Sequence, residues 1–230
     1  MTTLIAALTA FVGTHFLMSH PLRSVMVKAL GGALFQIVYS LISLATFAWV
    51  VLAFKATPRT ADLWPVSEMM WSVSTMLMLI ASILFAGSVM RNPALPRPDA
   101  AKLAAAPARG ALAITRHPMM WSFGIWALAH ALVAPYAAGL MLTGGMAILA
   151  IGGSLGQDAK KAALMGDGWR DWAARTSFVP FGNQLSGKAS WGSIWPGTTI
   201  ILVGVVIWLV ASRLHPVQGA PVVGIWRWFY

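Results

Sequence analysis

His15, His117 and His130 each lie in or beside a long apolar stretch, where a polar side chain is costly and calls for a reason. Those stretches hold no Asp or Glu. Paired-acid catalysis, a carboxylate proton relay and an acid-lined cation path are therefore excluded. The chain also lacks cysteine, which removes disulfides, thiolate metal sites, thiol nucleophiles and covalent haem attachment. Neutral imidazole remains, and it is a nitrogen ligand. Non-covalent haem between apolar helices needs one or two such groups. Gly13, two positions before His15, is small enough to admit the flat face of a ligand. His20 and His215 stand at the edges of apolar runs and read as ordinary interfacial residues.

The elements that must hold these histidines follow from run length. Of the residues, 58% are hydrophobic and 10% charged, against about 25% charged in a soluble domain, so something other than water faces the apolar surface. No charge occurs from Leu30 to Phe54, from Met69 to Met90, or from Pro118 to Gln157. A bilayer core of about 30 Å takes about 20 helical residues. The first two runs are thus single spans and the third holds two. Backbone in hydrocarbon must satisfy its own hydrogen bonds, so all spans are helices.

The expected fold class is all-α, a polytopic transmembrane helix bundle of about six spans with a cytoplasmic amphipathic segment. The spans fall roughly at 2–19, 31–54, 69–90, 113–134, 137–156 and 194–212. In domain terms, residues 1–156 form a transmembrane domain, 157–193 an interfacial segment, and 194–230 a last span with an aromatic tail. Spans four and five make a hairpin turned at Ala134-Pro135-Tyr136, which places Arg116 and His117 just inside the fourth span. Asn92 to Ala108 is a proline-broken linker. Asp158 to Phe181 reads either as an amphipathic helix on the membrane surface or as a solvated connector. Trp226 to Tyr230 resembles an interfacial anchor. Gly152 and Gly156 read as close helix packing.

Twelve of the basic residues fall in the loops after spans one, three and five, and only Lys55, Arg59, Arg213 and Arg227 fall on the other side. The positive-inside rule then makes those loops cytoplasmic and both termini periplasmic. The net charge of +10 sits between the apolar runs, so anionic lipid headgroups, not nucleic acid, are the expected partner.

Thr115-Arg116-His117-Pro118-Met119-Met120-Trp121, followed on the same span by Trp126-Ala127-Leu128-Ala129-His130, resembles the NnrU family of bacterial membrane proteins. His15 in the first span and Tyr39-Ser-Leu-Ile-Ser-Leu in the second fit the same pattern, and the resemblance runs over about residues 5 to 150. It implies an inner-membrane protein linked to denitrification, with 15-cis-zeta-carotene isomerase as a relative. By that relation it also implies a haem b held by histidines, and an apolar small molecule as a possible substrate class. Carried over, the ligands are His15 and His130. The isomerase carries a Cys three positions before its second histidine, where this chain has Ala127.

Straight helices would set His15 and His130 about 15 Å apart in depth, whereas His117 shares the depth of His15. The liganding pair is therefore His15 with His130 if a helix tilts or is entered deeper, or His15 with His117, or there is no single bis-histidine site. Arg116 and Arg23 are the cations placed to meet haem propionates.

Two other readings fit parts of the chain. Arg116-His117-Pro118-Met119 and the later Gly168-Trp169-Arg170-Asp171-Trp172 to Pro180-Phe181 are similar to membrane isoprenylcysteine and phospholipid methyltransferases that use S-adenosylmethionine. Met120 and Ser122 replace the Tyr and Gly of that motif, and Asp158 would have to serve as its acid. The other reading is a non-enzymatic assembly or scaffold protein, with histidines as packing groups and Arg116 snorkelling to headgroups.

Overall fold

The computed structural model of the chain describes residues 1–229, so Tyr230, the end of the expected aromatic anchor, lies outside the described residues. The α-helices are α1 Thr2–Ser19, α2 Arg23–Ala56, α3 Glu68–Ser88, α4 Ala100–Ala105, α5 Ala111–Ile114, α6 Pro118–Val133, α7 Ala137–Met165, α8 Asp167–Arg175, α9 Gly182–Leu185 and α10 Thr198–Leu214. Short 3-10 turns fall at Trp191–Ile194, His215–Gln218 and Gly224–Trp228. The bundle is all-helical among the described residues, as expected. By length and composition α1, α2, α3, α7 and α10 can cross a bilayer. α6, at 16 residues, extends about 24 Å.

The six long helices stand in single file. α2 packs on α1, α1 on α7, α7 on α6, α6 on α3, and α3 on α10. α1 and α7 run parallel: a Cβ at Gly145 would meet Leu8, one at Gly152 would lie 2.8 Å from Phe16 Cζ, and one at Gly156 would collide with the His20 ring. The two glycines expected to serve close packing thus receive two rings of α1. At the far side of the row, a Cβ at Gly204 of α10 would lie 2.6 Å from Ile83 Cα of α3. The outward faces of α2 and α10 expose Leu34, Ile37, Leu41, Leu44, Leu202 and Val206. Apolar surface on this scale requires lipid around it.

Three of the expected boundaries shift for a local reason. The fourth span was expected to start at 113, but α6 begins at Pro118. Residues before proline avoid the α region, and His117 takes φ −121°, ψ 54°. Pro118 then sits at the first helical position, where its missing N–H costs nothing. Arg116 and His117 therefore lie in the link before α6 and not within a span. The fifth span does not stop at 156 but runs on as α7 to Met165, ending at Gly166 with φ +57°. The last starts at Thr198 after Pro196 and Gly197, the latter at φ +89°.

The segment expected on the membrane surface is reassigned too. Its first residues belong to α7, and α8 buries Trp169 and Trp172 against Ala94, Ala104 and Leu112. This forms a second small core, built from loops, at one end of the bundle. The loops after α1, α3 and α7 all gather at this end, called the basic face below. The described chain starts and finishes at the opposite end, where Arg227 pairs with Glu68 at 2.6 Å.

Candidate functional site

Arg116 and His117 meet on one carboxylate. The Arg116 guanidinium donates to both oxygens of Asp158 through Nε and Nη2, at 2.6 to 3.1 Å. His117 Nε2 stands 2.7 Å from Asp158 Oδ1, and its Nδ1 stands 3.1 Å from Gln157 Oε1. Gln157 donates in turn to the Ala94 carbonyl, and Lys161 donates to the carbonyls of Pro93 and Leu95. Thr115 and Trp121 both donate to the Phe178 carbonyl. Phe178 also lies under the guanidinium, 5.3 Å from its ring centroid. His117 is 2% exposed. The result is a latch that ties the starting link of α6 to the end of α7, the linker after α3, and the segment after α8.

The latch corrects two expectations. Arg116 is held by Asp158, so it neither snorkels to lipid nor stands ready for a propionate. His117 faces acceptors at both ring nitrogens and presents none of them to open space. Asp158, the acid that the methyltransferase reading would need, does lie against the arginine and histidine. Here, however, the three satisfy one another, and Trp169 and Phe178 close against the imidazole.

His15 and His130 share a different device. His15 Nδ1 lies 2.7 Å from the Phe11 carbonyl and His130 Nδ1 lies 2.9 Å from the Trp126 carbonyl, each four residues back on its own helix. A carbonyl only accepts, so Nδ1 is the protonated nitrogen in both, and Nε2 keeps its lone pair. His15 stands in the crevice between α1 and α2. Phe11, His15 and Ser19 follow at i, i+4 and i+8 on α1, opposite Phe47, Ser43 and Tyr39 of α2. Ser19 donates to the Tyr39 hydroxyl at 3.2 Å, Phe11 meets Phe47 at 5.5 Å, and His15 meets Tyr39 edge-on at 5.6 Å. This register sets Ser43 level with His15, and the Ser43 hydroxyl is buried with no hydrogen-bond partner. His130 is more enclosed, stacked 4.1 Å from Trp126 and 6.1 Å from His215.

One haem cannot be spanned by these histidines as a pair within this chain. α7 separates α1 from α6. Through the contacts Phe16–Gly152 and Ala134–Gly139, His15 is level with residue 151 and His130 with residue 143 of α7, a height difference of about 12 Å. His117 is level with Gln157, about 9 Å from His15 toward the basic face, so the depth the two were expected to share is not found. As single ligands, His15 and His130 each fit an iron. Of the two, the His15 crevice holds a buried hydroxyl, Ser43 Oγ, that has no hydrogen-bond partner among the described residues.

Sequence reasoning named Asp158 only as a stand-in acid and gave Gln157, Ser43 and Lys160 no role. A signal for the first two existed. With the hairpin turned at Pro135, residue 116 must face residues near 157.

A single file of apolar helices, with half-buried imidazoles between them and a satisfied ion-pair latch at one face, defines a multi-pass helical membrane protein. The family model described as NnrU protein matches residues 3–222, nearly the whole described chain, and the chain belongs to the NnrU family. No curated protein and no solved structure matches it.

Proposed function

We propose that the protein binds one haem b in the crevice between α1 and α2, with His15 as its axial ligand. Its role would lie in denitrification-related nitrogen-oxide metabolism or in isomerising an apolar substrate. The observation that supports this is the state of His15: Nδ1–H is tied to the Phe11 carbonyl, Nε2 is left with a lone pair, and a partnerless Ser43 hydroxyl stands at the same level. A hydrogen bond at one ring nitrogen fixes the tautomer and the aim of the other. Phe11 and Phe47 keep water from the crevice, and Tyr39 steadies the ring. α2 has α1 as its packed neighbour, so a flat apolar group can enter from lipid by moving a single helix. His15 would hold such a haem, which would supply iron chemistry toward a small nitrogen oxide or an apolar alkene. The basic loops support a bacterial inner-membrane setting with those loops in the cytoplasm and both termini periplasmic.

The test is a reduced-minus-oxidised spectrum of the protein purified in detergent. A Soret band in the wild type that is lost in His15→Ala and kept in His130→Ala is the expected result. Colourless wild-type protein, or a band that survives His15→Ala, overturns the proposal. The first outcome leaves the assembly or scaffold role.

A further inference from the structure

At the basic face, the ends of α1, α2 and α7 bring together cations that have no acidic partner among the described residues. Gly152, Gly156 and Lys160 follow at four-residue steps along the face of α7 that receives α1. Phe16 lies on the first and His20 on the second. Lys160 is the next position on that stripe, beyond the His20 ring. Arg23 follows His20 by three residues, and its N–H donates to the His20 carbonyl at 3.3 Å.

Arg23 is also turned back on its own helix. It precedes Phe35 by twelve residues, about 18 Å on a straight helix, yet its guanidinium lies 5.8 Å from the Phe35 ring centroid. The bend is at Gly31, where φ is +75° and ψ is 163°. Arg23, His20 and Lys160 are all half-buried, and the charges of Arg23 and Lys160 act on each other. Burial, and then the Lys160 charge, hold the His20 imidazole below its ordinary pKa.

Among the described residues no acid is paired with this cluster. Asp158 is held by Arg116 and His117, Asp62, Glu68, Asp99 and Asp167 are paired with other arginines, and Asp171 lies on α8 beside Ala101, Ala104 and Arg175. Lys161, next to Lys160, is already taken by the carbonyls of Pro93 and Leu95. Among the described residues, Arg23 and Lys160 have no hydrogen-bond acceptor for their charged groups. Two half-buried like charges held together without a counter-ion are unfavourable. Where a protein keeps such an arrangement at the depth of lipid headgroups, an anion at that depth is the natural complement.

We propose that Arg23, Lys160 and His20 form a site for one phosphate group, supplied by an anionic phospholipid of the surrounding bilayer. The lipid chains would run along the exposed apolar surface of α2, which starts beside the site with Leu30 and Leu34. The proposal does not depend on haem at His15, because it uses none of the crevice groups.

The test uses the full chain in detergent, with phosphatidylglycerol or phosphatidylcholine added and bound lipid counted by native mass spectrometry. One phosphatidylglycerol per chain should be retained where phosphatidylcholine is not. The double variant Arg23→Gln/Lys160→Gln should lose retention by about tenfold or more, as expected for removal of two headgroup-level cations. Lys160→Arg should retain the lipid, and Lys188→Gln, an exposed cation away from the site, should match the wild type. Equal retention of the two lipids, or full retention by the double variant, overturns the proposal. Millimolar inorganic phosphate and haemin serve as competitors. Displacement by the first would assign the site to a soluble anion, and displacement by the second to a propionate; either result refutes a phospholipid site.

Discussion

The latch around Asp158 and the edge formed by α1 and α2 hold the same kinds of side chain and treat them in opposite ways. At the latch, an arginine, a histidine, a lysine and a glutamine all find acceptors inside the chain. At the edge, a histidine keeps a lone pair, a serine hydroxyl has no partner, and two cations face no acid. Burial makes an unmade hydrogen bond expensive, so the two patterns carry different meanings. Polar groups that satisfy one another hold the fold together. Trp169 and Trp172 also keep partnerless indole N–H groups in the small core beside the latch; it is the open groups at the edge, next to lipid, for which we propose ligands. Residue type alone does not separate these cases; His15 and His117 differ only in what surrounds them.

The largest expected effect comes from the latch. Asp158→Ala leaves Arg116 and His117, both largely buried, without their acid. Breaking a buried pair from one side costs about 3 kcal/mol or more, which for a chain of this size is about 10 °C in Tm. Thermal unfolding in detergent should show this loss. A drop of only a degree or two would mean that the latch is ornamental and that its charges are as open as those at the edge.

A smaller effect is expected where the edge joins the rest of the row. Gly152→Leu places a branched side chain where Phe16 now lies, with its Cβ 2.8 Å from Phe16 Cζ. Overpacking of this kind costs about 1–3 kcal/mol. Because α1 must move away from α7, the crevice with α2 should be disturbed as well. Any pigment bound at His15 should change its absorption in this variant, and a stable protein with an unaltered spectrum would uncouple the crevice from the α1–α7 contact.

The histidines give the direct contrast. His15→Leu removes one hydrogen bond to a carbonyl of the same helix, worth about 1 kcal/mol or less. Its Tm should therefore stay within a few degrees of the wild type, at about 2–4 °C per kcal/mol, while any haem held at His15, as we propose, should be lost. His117→Leu should do the reverse in kind: it strips the Gln157 side-chain oxygen of its partner, leaves Asp158 to Arg116 alone, and lowers Tm beyond the His15 variant. Equal losses from the two would erase the distinction between an open and a committed imidazole.

Much of the architecture could be read before any coordinates. Run lengths identified the helices and their order, and the hairpin turn at Pro135 was correctly placed, because lipid allows few alternatives for uncharged stretches of that length. The start of α6 was misjudged because hydropathy does not register the backbone restriction that Pro118 imposes on His117. α8 reads in the sequence either as a helix on the membrane surface or as a solvated connector, because an amphipathic face looks the same whether it meets lipid, water or protein. The decisive partners, Ala94, Ala104 and Leu112, come from distant loops. The candidate site was only partly readable for a related reason. Composition singles out His15, His117 and His130 alike, since each is an imidazole near apolar sequence. Whether a ring nitrogen is already spent depends on Gln157, Asp158 and the helix carbonyls, and that is a matter of tertiary placement.

The smallest expected effect carries the opposite sign to the first. Lys160→Gln removes one of two half-buried charges that act on each other at the edge, and it breaks no hydrogen bond among the described residues. In lipid-free detergent the variant should be as stable as the wild type or slightly more so, with solvent screening holding the gain to well under about 1 kcal/mol. Raising the salt concentration should shrink the gain further, because the same repulsion is then screened in the wild type. Addition of phosphatidylglycerol should reverse the order, stabilising the wild type and leaving the variant behind. Destabilisation by Lys160→Gln in the absence of lipid would mean that Lys160 has an internal acceptor, and the edge would then resemble the latch.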